Sequence, residues 1–102
     1  MTLKKLKKEI KKYPAFYAKV WMAALKIPYG ETRSYKWLAE KIGRPNSARA
    51  VALALKKNPF APFVPCHRVI RSDGSLGGYS GPGGIKAKIR LLKKEKIKSQ
   101  KR

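Results

Sequence analysis

The single cysteine of the chain, Cys66, stands next to its single histidine, His67. A free thiol has a pKa of about 8.5, so only a few per cent of it is thiolate at pH 7. A nearby imidazole can accept the thiol proton and raise the reactive fraction. The pair indicates nucleophilic chemistry at sulfur, although a lone cysteine is also a common small residue of a hydrophobic core.

The overall charge indicates the kind of partner. The 102 residues include 26 lysines and arginines but five acidic residues, giving a net charge of +21. Such an excess favours a polyanion. Thermophilic surfaces gain lysine and glutamate together, whereas glutamate is scarce here. Nucleic acid is therefore the expected partner, and charge alone would also suit a ribosomal or architectural nucleic-acid-binding protein.

Length and the distribution of charge predict one domain. Six lysines fall in residues 1–13 and nine lysines and arginines in residues 86–102. We expect a basic N-terminal extension at 1–13, a compact domain at 14–98 and a basic tail at 99–102. One cysteine forms no internal disulfide, and no apolar run suits a leader or a membrane span, so a cytoplasmic location is expected. We also expect a monomer that does not bind membranes. The single Cys and single His cannot supply the four ligands of a structural zinc, and we expect no metal or cofactor.

Apolar spacing predicts the first helices. Leu3, Leu6 and Ile10 recur at helical spacing among lysines, which fits either a short basic amphipathic helix or a frayed tail. Pro14 suits the start of a core helix that ends near Ile27.

A helix-turn-helix is predicted next. Ser34 is a suitable N-cap for a helix ending near Ile42, and the sequence Gly43-Arg44-Pro45 stops it. Asn46 can cap a following helix that runs to about Lys57. Any small helical bundle also contains such a pair of helices.

The second helix of this pair lacks the polar side chains that sequence-specific recognition of DNA bases requires. A recognition helix usually presents several Asn, Gln or Arg groups to base edges. Here apolar residues surround a single arginine, Arg49, namely Ala48, Ala50, Leu53 and Ala54. Small residues allow close approach to a groove, and Lys56 and Lys57 can hold phosphates, which predicts binding with little sequence preference. The same alanines could instead pack inside a bundle.

The segments around the cysteine are rich in proline and glycine. Three prolines in residues 59–65 exclude a helix and predict an extended, stiff connection. The sequence Val69-Ile70-Arg71, an Asp73-Gly74 turn and Ser75-Leu76 are typical of a short β-hairpin. Residues 77–84 contain too much glycine for a regular element. They predict either a loop whose amides approach a ligand or a plain linker.

A last helix is predicted from about residue 85. Its inward face, on a 3.6-residue period, consists of Ile85, Ile89 and Leu92. Glu95 continues that stripe, and a buried carboxylate needs a partner. We predict His67 as the partner, the alternative being an exposed contact with Lys98. The predicted fold class is mainly α, a small helical domain with a winged-helix-like helix-turn-helix and a short β-hairpin near the active cysteine.

Five motifs, in order, resemble those of the O6-alkylguanine-DNA alkyltransferase family. They are Ser-Ala-Arg-Ala-Val at 47–51, Asn-Pro at 58–59, Pro-Cys-His-Arg-Val at 65–69, Gly-Tyr-Ser-Gly at 78–81 and Leu-Leu-x-x-Glu at 91–95. The resemblance covers roughly residues 15–96. It implies a DNA repair protein that moves an alkyl group irreversibly from O6-alkylguanine in double-stranded DNA to Cys66, once per molecule. It also implies that the helix-turn-helix uses the minor groove.

The resemblance implies a role for each site residue. Cys66 is the acceptor thiol, His67 takes its proton through a water, and Glu95 holds the imidazole in the useful tautomer. Tyr35 donates a hydrogen bond to the flipped guanine, and Arg49 fills the space that the base leaves. Further DNA contacts are implied for Tyr17, Lys36, Arg44 and Ser72, and support of the active site for Asn58, Tyr79 and Ser80.

The chain also departs from that family. It has no room for the N-terminal domain of many relatives, and we expect the basic residues 1–13 to replace it. The loop at 81–84 is longer than usual, and Arg90 stands where an aromatic residue often precedes Leu-Leu, so we expect the preferred size of alkyl group to differ. The alternative function is that of a non-catalytic alkyltransferase-like protein, which binds the same lesion without this cysteine.

Overall fold

The computed structural model describes residues 2–79, 81 and 83–100. Within this range the chain is mainly helical, as predicted. The elements in order are α1 Leu3–Ile10, α2 Ala15–Ala24, β1 Arg33–Ser34, α3 Tyr35–Lys41, α4 Ala48–Lys56, a 3-10 turn Cys66–Arg68, β2 Val69–Ile70 and α5 Gly84–Gln100. No helix in the described range is long and apolar enough to cross a membrane.

The basic N-terminal segment forms a helix that is packed on the domain. Leu6 and Ile10 of α1 are buried in the core. Tyr13, just beyond the helix, contacts the rings of Trp21 and Phe60 edge-on, with centroids 5.0 and 5.6 Å apart. Of the two possibilities that the sequence left open, α1 is therefore the amphipathic helix.

The core lies between α2, α3 and α4. Trp21 is fully buried, and its indole Nε1 donates a hydrogen bond to the Ala54 carbonyl over 2.8 Å. Ala54 was predicted to face DNA, but it is fully buried because it lies three residues from Val51 on the inner face of α4. Ala50 and Leu53 remain exposed. The alanines of α4 thus divide between core and surface.

The two helices of the predicted helix-turn-helix are present. The Ser34 hydroxyl accepts a hydrogen bond from the Trp37 amide over 2.9 Å, so the predicted N-cap is confirmed. Gly43 follows α3 with a φ of 78°, a conformation that favours glycine. The cap predicted for α4 is wrong, because the N-cap position is Ser47 and not Asn46, and the Ser47 side chain makes no capping hydrogen bond.

The two short strands pair differently from the prediction. β1 and β2 run parallel, with Arg33 opposite Val69 and Ser34 opposite Ile70. The predicted hairpin would have paired Val69-Ile70 with residues just beyond it in the chain. The pairing observed joins β2 to the residues that begin α3, so it fixes the cysteine-bearing turn against the helix-turn-helix.

The turn of the predicted hairpin does form. Asp73 Oδ1 accepts a hydrogen bond from the Ser75 amide, and the Arg71 amide donates to the Ser75 carbonyl, each over 2.9 Å. Beyond it, the described residues form no second strand of a hairpin. The carbonyls of Val69 and Leu76 instead both accept hydrogen bonds from the buried Lys88 Nζ.

The proline-rich segment at 59–65 is a compact turn and not the extended connection that was predicted. The Val64 amide donates to the Phe60 carbonyl over 3.0 Å, and the Ala61–Pro62 peptide bond is cis. The Asn58 side chain binds both ends of the turn, accepting from the Phe60 amide over 2.8 Å and donating to the Val64 carbonyl over 3.1 Å. An amide side chain offers both a donor and an acceptor, so one residue can close the turn.

Candidate active site

The cysteine and the histidine lie on one turn of 3-10 helix between the proline-rich turn and β2. The Cys66 amide donates to the Val64 carbonyl over 2.8 Å, and the Arg68 amide donates to the Pro65 carbonyl over 2.9 Å. Cys66 is 5% exposed and His67 is 2% exposed. Backbone hydrogen bonds on both sides therefore hold the two side chains in fixed, buried positions.

His67 is paired with Glu95, as the sequence predicted. His67 Nε2 lies 2.6 Å from Glu95 Oε2. Arg68 Nε donates to Glu95 Oε1 over 2.8 Å, and a second Arg68 nitrogen, Nη1, donates to the Ile27 carbonyl over 2.9 Å. Because Glu95 is only 5% exposed, the alternative of an exposed surface contact does not describe this carboxylate.

These contacts determine the protonation of the pair. Burial lowers the pKa of His67, although the hydrogen bond and charge of Glu95 act in the opposite direction. Burial by itself would raise the pKa of Glu95, but hydrogen bonds from Arg68 and His67 outweigh it and lower that pKa. At neutral pH we therefore assign a neutral imidazole and an ionised carboxylate, with the ring proton on Nε2 facing Glu95.

The other ring nitrogen of His67 is available to accept a proton. Nδ1 is buried and has no hydrogen-bond partner among the described residues. Burial also raises the pKa of the Cys66 thiol, with the Asn58 amide and the Lys88 charge acting in the opposite direction. The thiol is thus protonated at neutral pH and needs a base, and the neighbouring imidazole can serve as one.

Lys88 is a site residue that was not predicted from the sequence. It is fully buried, and its Nζ donates to the carbonyls of Val69, Leu76 and Gly78 over 2.8, 2.5 and 3.1 Å. Burial lowers the pKa of Lys88 to about 8. The ammonium ties α5 both to β2 and to the loop beside the thiol.

The helical period of α5 does indicate that Lys88 is buried. Lys88 lies seven residues before Glu95, which is about two turns of helix, so the two residues share a face. Many other lysines lie near Lys88 in the sequence, and nothing else in the sequence marked it as the buried one. The predicted stripe placed Ile85 inward, whereas Ile85 is 43% exposed and stands at the rim of a cavity.

A cavity of about 720 Å³ opens onto the thiol. Its wall includes three of the predicted site side chains besides Cys66, namely Tyr35, Arg49 and Tyr79. Apolar side chains of α4 and α5 supply much of the remainder, among them Leu53, Leu55 and Ile85. Its volume and mixed lining are those of a small-molecule or nucleobase pocket.

A shallower cleft of about 300 Å³ adjoins this cavity and shares Tyr35 and Arg49 with it. Lys36 and Ser72, two predicted DNA contacts, line the cleft, together with an arginine that was not predicted, Arg71. Arg71 is exposed and also lines the cavity. The cleft therefore joins the thiol cavity to a cationic surface.

Two predicted DNA contacts lie elsewhere, beside the start of α2. The Tyr17 hydroxyl accepts a hydrogen bond from Lys57 Nζ over 3.2 Å, and the Arg44 guanidinium lies 5.9 Å from the centroid of the Phe16 ring. Ser80, predicted to support the site, is outside the described residues. Among the side chains that the structure describes, no group of three His, Cys, Asp or Glu is placed to hold a metal ion.

The loop over the cavity approaches Tyr35 closely at Gly77. A Cβ added to Gly77 would lie 2.6 Å from the Tyr35 hydroxyl oxygen, and the residue has a φ of 69°. Both the contact and the backbone conformation require glycine. Gly78 and Tyr79 form part of the wall of the cavity and Gly77 part of the adjoining cleft, so this part of the glycine-rich segment is not a plain linker. Burial raises the pKa of Tyr35, which keeps its hydroxyl proton in place for donation.

Comparison with known proteins agrees with this geometry. Residues 15–97 match the family described as 6-O-methylguanine DNA methyltransferase, DNA binding domain. A methylated-DNA–protein-cysteine methyltransferase of Mycobacterium leprae is 56% identical over 81 residues, which are 79% of this chain and 48% of that protein. The chain spans about half the length of the curated relatives that it matches.

Solved structures show the same fold. The crystal structure of Mycobacterium tuberculosis OGT in complex with DNA has a TM-score of 0.80 and 54% identity, covering 83% of this chain and 52% of that one. S. pombe Atl1 in complex with damaged DNA containing O6-carboxymethylguanine has a TM-score of 0.70 and 36% identity, covering 78% of this chain and 74% of that one. With the matched segment, the fold and the resemblance of its motifs in agreement, the chain belongs to the 6-O-methylguanine DNA methyltransferase family.

Proposed function

We propose that this chain repairs double-stranded DNA by moving the alkyl group of O6-alkylguanine to Cys66. The observation that carries the proposal is the thiol at the wall of a cavity of about 720 Å³, which is large enough to admit a base, next to a buried His67 that is paired with Glu95. A cysteine that served only to fill the core would need neither the cavity nor the buried ion pair.

In the proposed reaction, the Cys66 proton passes to His67 Nδ1, directly or through a water. The sulfur then attacks the alkyl carbon in line with the bond to O6. The S–C bond forms as the C–O6 bond breaks, and the bonding electrons remain on the guanine oxygen. Tyr35 donates a hydrogen bond that stabilises this developing charge, while Glu95 stabilises the imidazolium.

The guanine anion then takes up a proton, which balances the one that His67 accepted from Cys66, and the products are guanine and a thioether on Cys66. The cysteine thiolate is too poor a leaving group from a dialkyl thioether for the imidazole or carboxylate at this site to remove the alkyl group, so the reaction does not reverse and the thiol is not regenerated. The protein is therefore consumed as it acts, and one molecule repairs one lesion.

Access to the thiol requires that the guanine leave the base stack. The alkylated oxygen of a stacked base cannot reach a buried, fixed sulfur, and flipping the base costs a few kcal/mol. Arg49 is exposed at the start of α4 and lines both the cavity and the cleft. This position suits a side chain that enters the duplex and occupies the space of the flipped base.

The remaining residues divide into DNA contacts and support. We propose that Lys36, Arg44, Ser72 and Tyr17 contact the DNA strand around the lesion. Asn58 closes the turn that presents the cysteine, and the backbone at Tyr79 and Ser80 closes over the guanine.

Lys88 acts as a positioning residue in this proposal. Its three carbonyl contacts hold the loop at 76–78 in place as a wall of the cavity. We also propose a reducing cytoplasmic location, because the acceptor must remain a free thiol.

The test is a repair assay on a duplex that contains one O6-methylguanine. We expect guanine to be restored and the peptide that holds Cys66 to gain one methyl group by mass spectrometry, with yield limited to one per protein molecule. Cys66→Ala should bind the same duplex and transfer nothing. Tight binding of the wild-type chain without any gain in mass would overturn the proposal and support a lesion-binding protein without transfer activity.

A further inference from the structure

We propose that the lysine face of α1 is a second binding surface for duplex DNA, separate from the lesion cavity and directed at the phosphate backbone. The proposal relies on the proposed function only for the choice of duplex DNA as the polyanion. α1 covers Leu3–Ile10, whereas the family match covers residues 15–97. The surface is therefore an addition to the matched domain.

The first observation is that α1 has a fixed orientation. Leu6 and Ile10 are 4% and 0% exposed in the same core as Trp21. Tyr13 then packs edge-on against Trp21 and Phe60. A helix attached along one face presents its opposite face at a constant place on the protein.

The second observation is the charge on that opposite face. The four lysines of the helix, Lys4, Lys5, Lys7 and Lys8, are exposed, and so are Lys11 and Lys12, which follow it directly. The one acidic residue among them is Glu9, which forms an ion pair with Lys12 over 2.7 Å. Lysines three and four residues apart on a helix repel each other, and a line of phosphates would remove that repulsion.

The third observation is continuity with the DNA-binding helices. α1 leads directly into the start of α2, where the Lys57 ammonium reaches Tyr17 and the Arg44 guanidinium lies over Phe16. These two cations come from the ends of α4 and α3. A basic surface therefore extends from the helix-turn-helix onto α1.

The chemistry of the surface favours phosphate over other anionic partners. Lysine is a point charge on a flexible stem, which suits phosphate contacts that carry no sequence information. A helix that lies on a membrane must insert an apolar face, whereas the apolar face of α1 is already buried in the protein apart from Leu3. The duplex is the partner that this face fits.

The test compares charge-changing variants of the full chain on an undamaged duplex. The first is a triple variant in which Lys4, Lys8 and Lys11 are all replaced by glutamine. Its slope of log affinity against log salt should become shallower by about 2 to 3, because each lost phosphate contact lowers the magnitude of the slope by roughly 0.9. The matching triple replacement by arginine keeps the charge and should keep the slope. Fluorescence anisotropy over a series of salt concentrations measures both.

A second triple variant controls for net charge. Lys26, Lys93 and Lys94 are exposed on other elements, and replacing all three with glutamine should leave the slope close to that of the wild type. The proposal would be overturned if the α1 variant had the same slope as the wild type. It would also be overturned if the slope became shallower by the same amount in the two glutamine variants. An α1 variant that loses binding to phosphatidylserine vesicles but keeps its slope on DNA would overturn it as well.

A further measurement separates this proposal from the proposed function. At saturating O6-methylguanine duplex, the glutamine variant of α1 should methylate Cys66 as fast as the wild type does, because α1 takes no part in the chemistry. If the wild type transfers no methyl group, the proposed function fails, and the salt slopes still decide whether α1 binds DNA.

Discussion

Charged groups are buried and paired in the active centre, whereas on the basic surface formed by α1 they are exposed. In the centre, the two buried ionised groups are partnered, with Glu95 held by His67 and Arg68, and Lys88 held by three carbonyls. On α1 and the two residues after it, six exposed lysines share one acidic neighbour. Buried pairing fixes the position and protonation of groups that perform chemistry, and unpaired surface charge is left to bind a partner.

The contrast predicts two classes of variant. Changes in the centre should alter the rate of transfer and leave DNA affinity close to that of the wild type. Changes on the surface should alter affinity and its salt dependence but not the chemistry. Arg49 lies at the border, because it lines the cavity and is also exposed, so its substitution tests whether the two regions are separable.

Among variants that keep the Cys66 thiol, we expect the largest effect from Arg49→Ala. Transfer from O6-methylguanine in a duplex should fall about 100-fold, because the flipped state loses the side chain that fills the stack, and flipping costs a few kcal/mol. Transfer from the free base O6-methylguanine should be unchanged, since nothing needs to be flipped. Single-turnover rates on both substrates measure this, and an equal loss on the two would place Arg49 in the chemistry.

A smaller effect, about 30-fold, is expected from Glu95→Gln. The neutral amide stabilises the imidazolium less well than the carboxylate does, while affinity for the damaged duplex should change less than about 2-fold. Glu95 raises the pKa of His67 by its hydrogen bond and charge, so the acid limb of the pH–rate profile should also move to lower pH. Unchanged rates with an unmoved acid limb would exclude the orienting role.

Lys88→Met should lower the transfer rate about 10-fold, because the loop at 76–78 loses its connection to α5. Three carbonyls lose their donor, and an unpaired buried polar group costs about 1–3 kcal/mol, so we expect the melting temperature to fall by about 5 °C or more. The control is Lys94→Met, an exposed position on the same helix, which should change neither quantity. Wild-type values for Lys88→Met would exclude the positioning role.

The pH dependence of the free energy of unfolding provides a second test of the buried Lys88. Its pKa is about 8 in the folded chain and 10.5 as the ordinary value, so between these pH values the folded state binds fewer protons than the unfolded state. Stability therefore rises with pH in this window. The wild type should gain stability relative to Lys88→Met from about pH 8 to 10.5, measured by urea unfolding, and parallel curves would contradict the buried ammonium.

Some of the site could be predicted from the chain alone because its signals are local. Ser34 caps α3 through a contact three residues away, and the 3.6-residue period of α5 places Glu95 on the buried face. The pairing of Glu95 with His67 was predictable because a carboxylate on an apolar stripe needs a partner, and the chain offers a single histidine.

Other features depended on contacts between distant residues. The parallel pairing of Val69 with Arg33 and the hydrogen bond from Trp21 to the Ala54 carbonyl each join residues more than 30 positions apart. The turn residues Asp73-Gly74 suggested a hairpin, but β2 pairs with Arg33-Ser34, and Lys88 from α5 binds the carbonyls of Val69 and Leu76.

The core helices, the excess of basic residues near both ends and the adjacency of thiol and imidazole follow from the sequence, because periodicity, composition and neighbouring positions are properties of the chain. Which lysine is buried, how β2 pairs, whether α1 packs on the domain and where the cavity opens follow from tertiary contacts. Those outcomes depend on which distant carbonyls and side chains meet, and the free energy of burying a charge is settled only by the partners that packing brings to it.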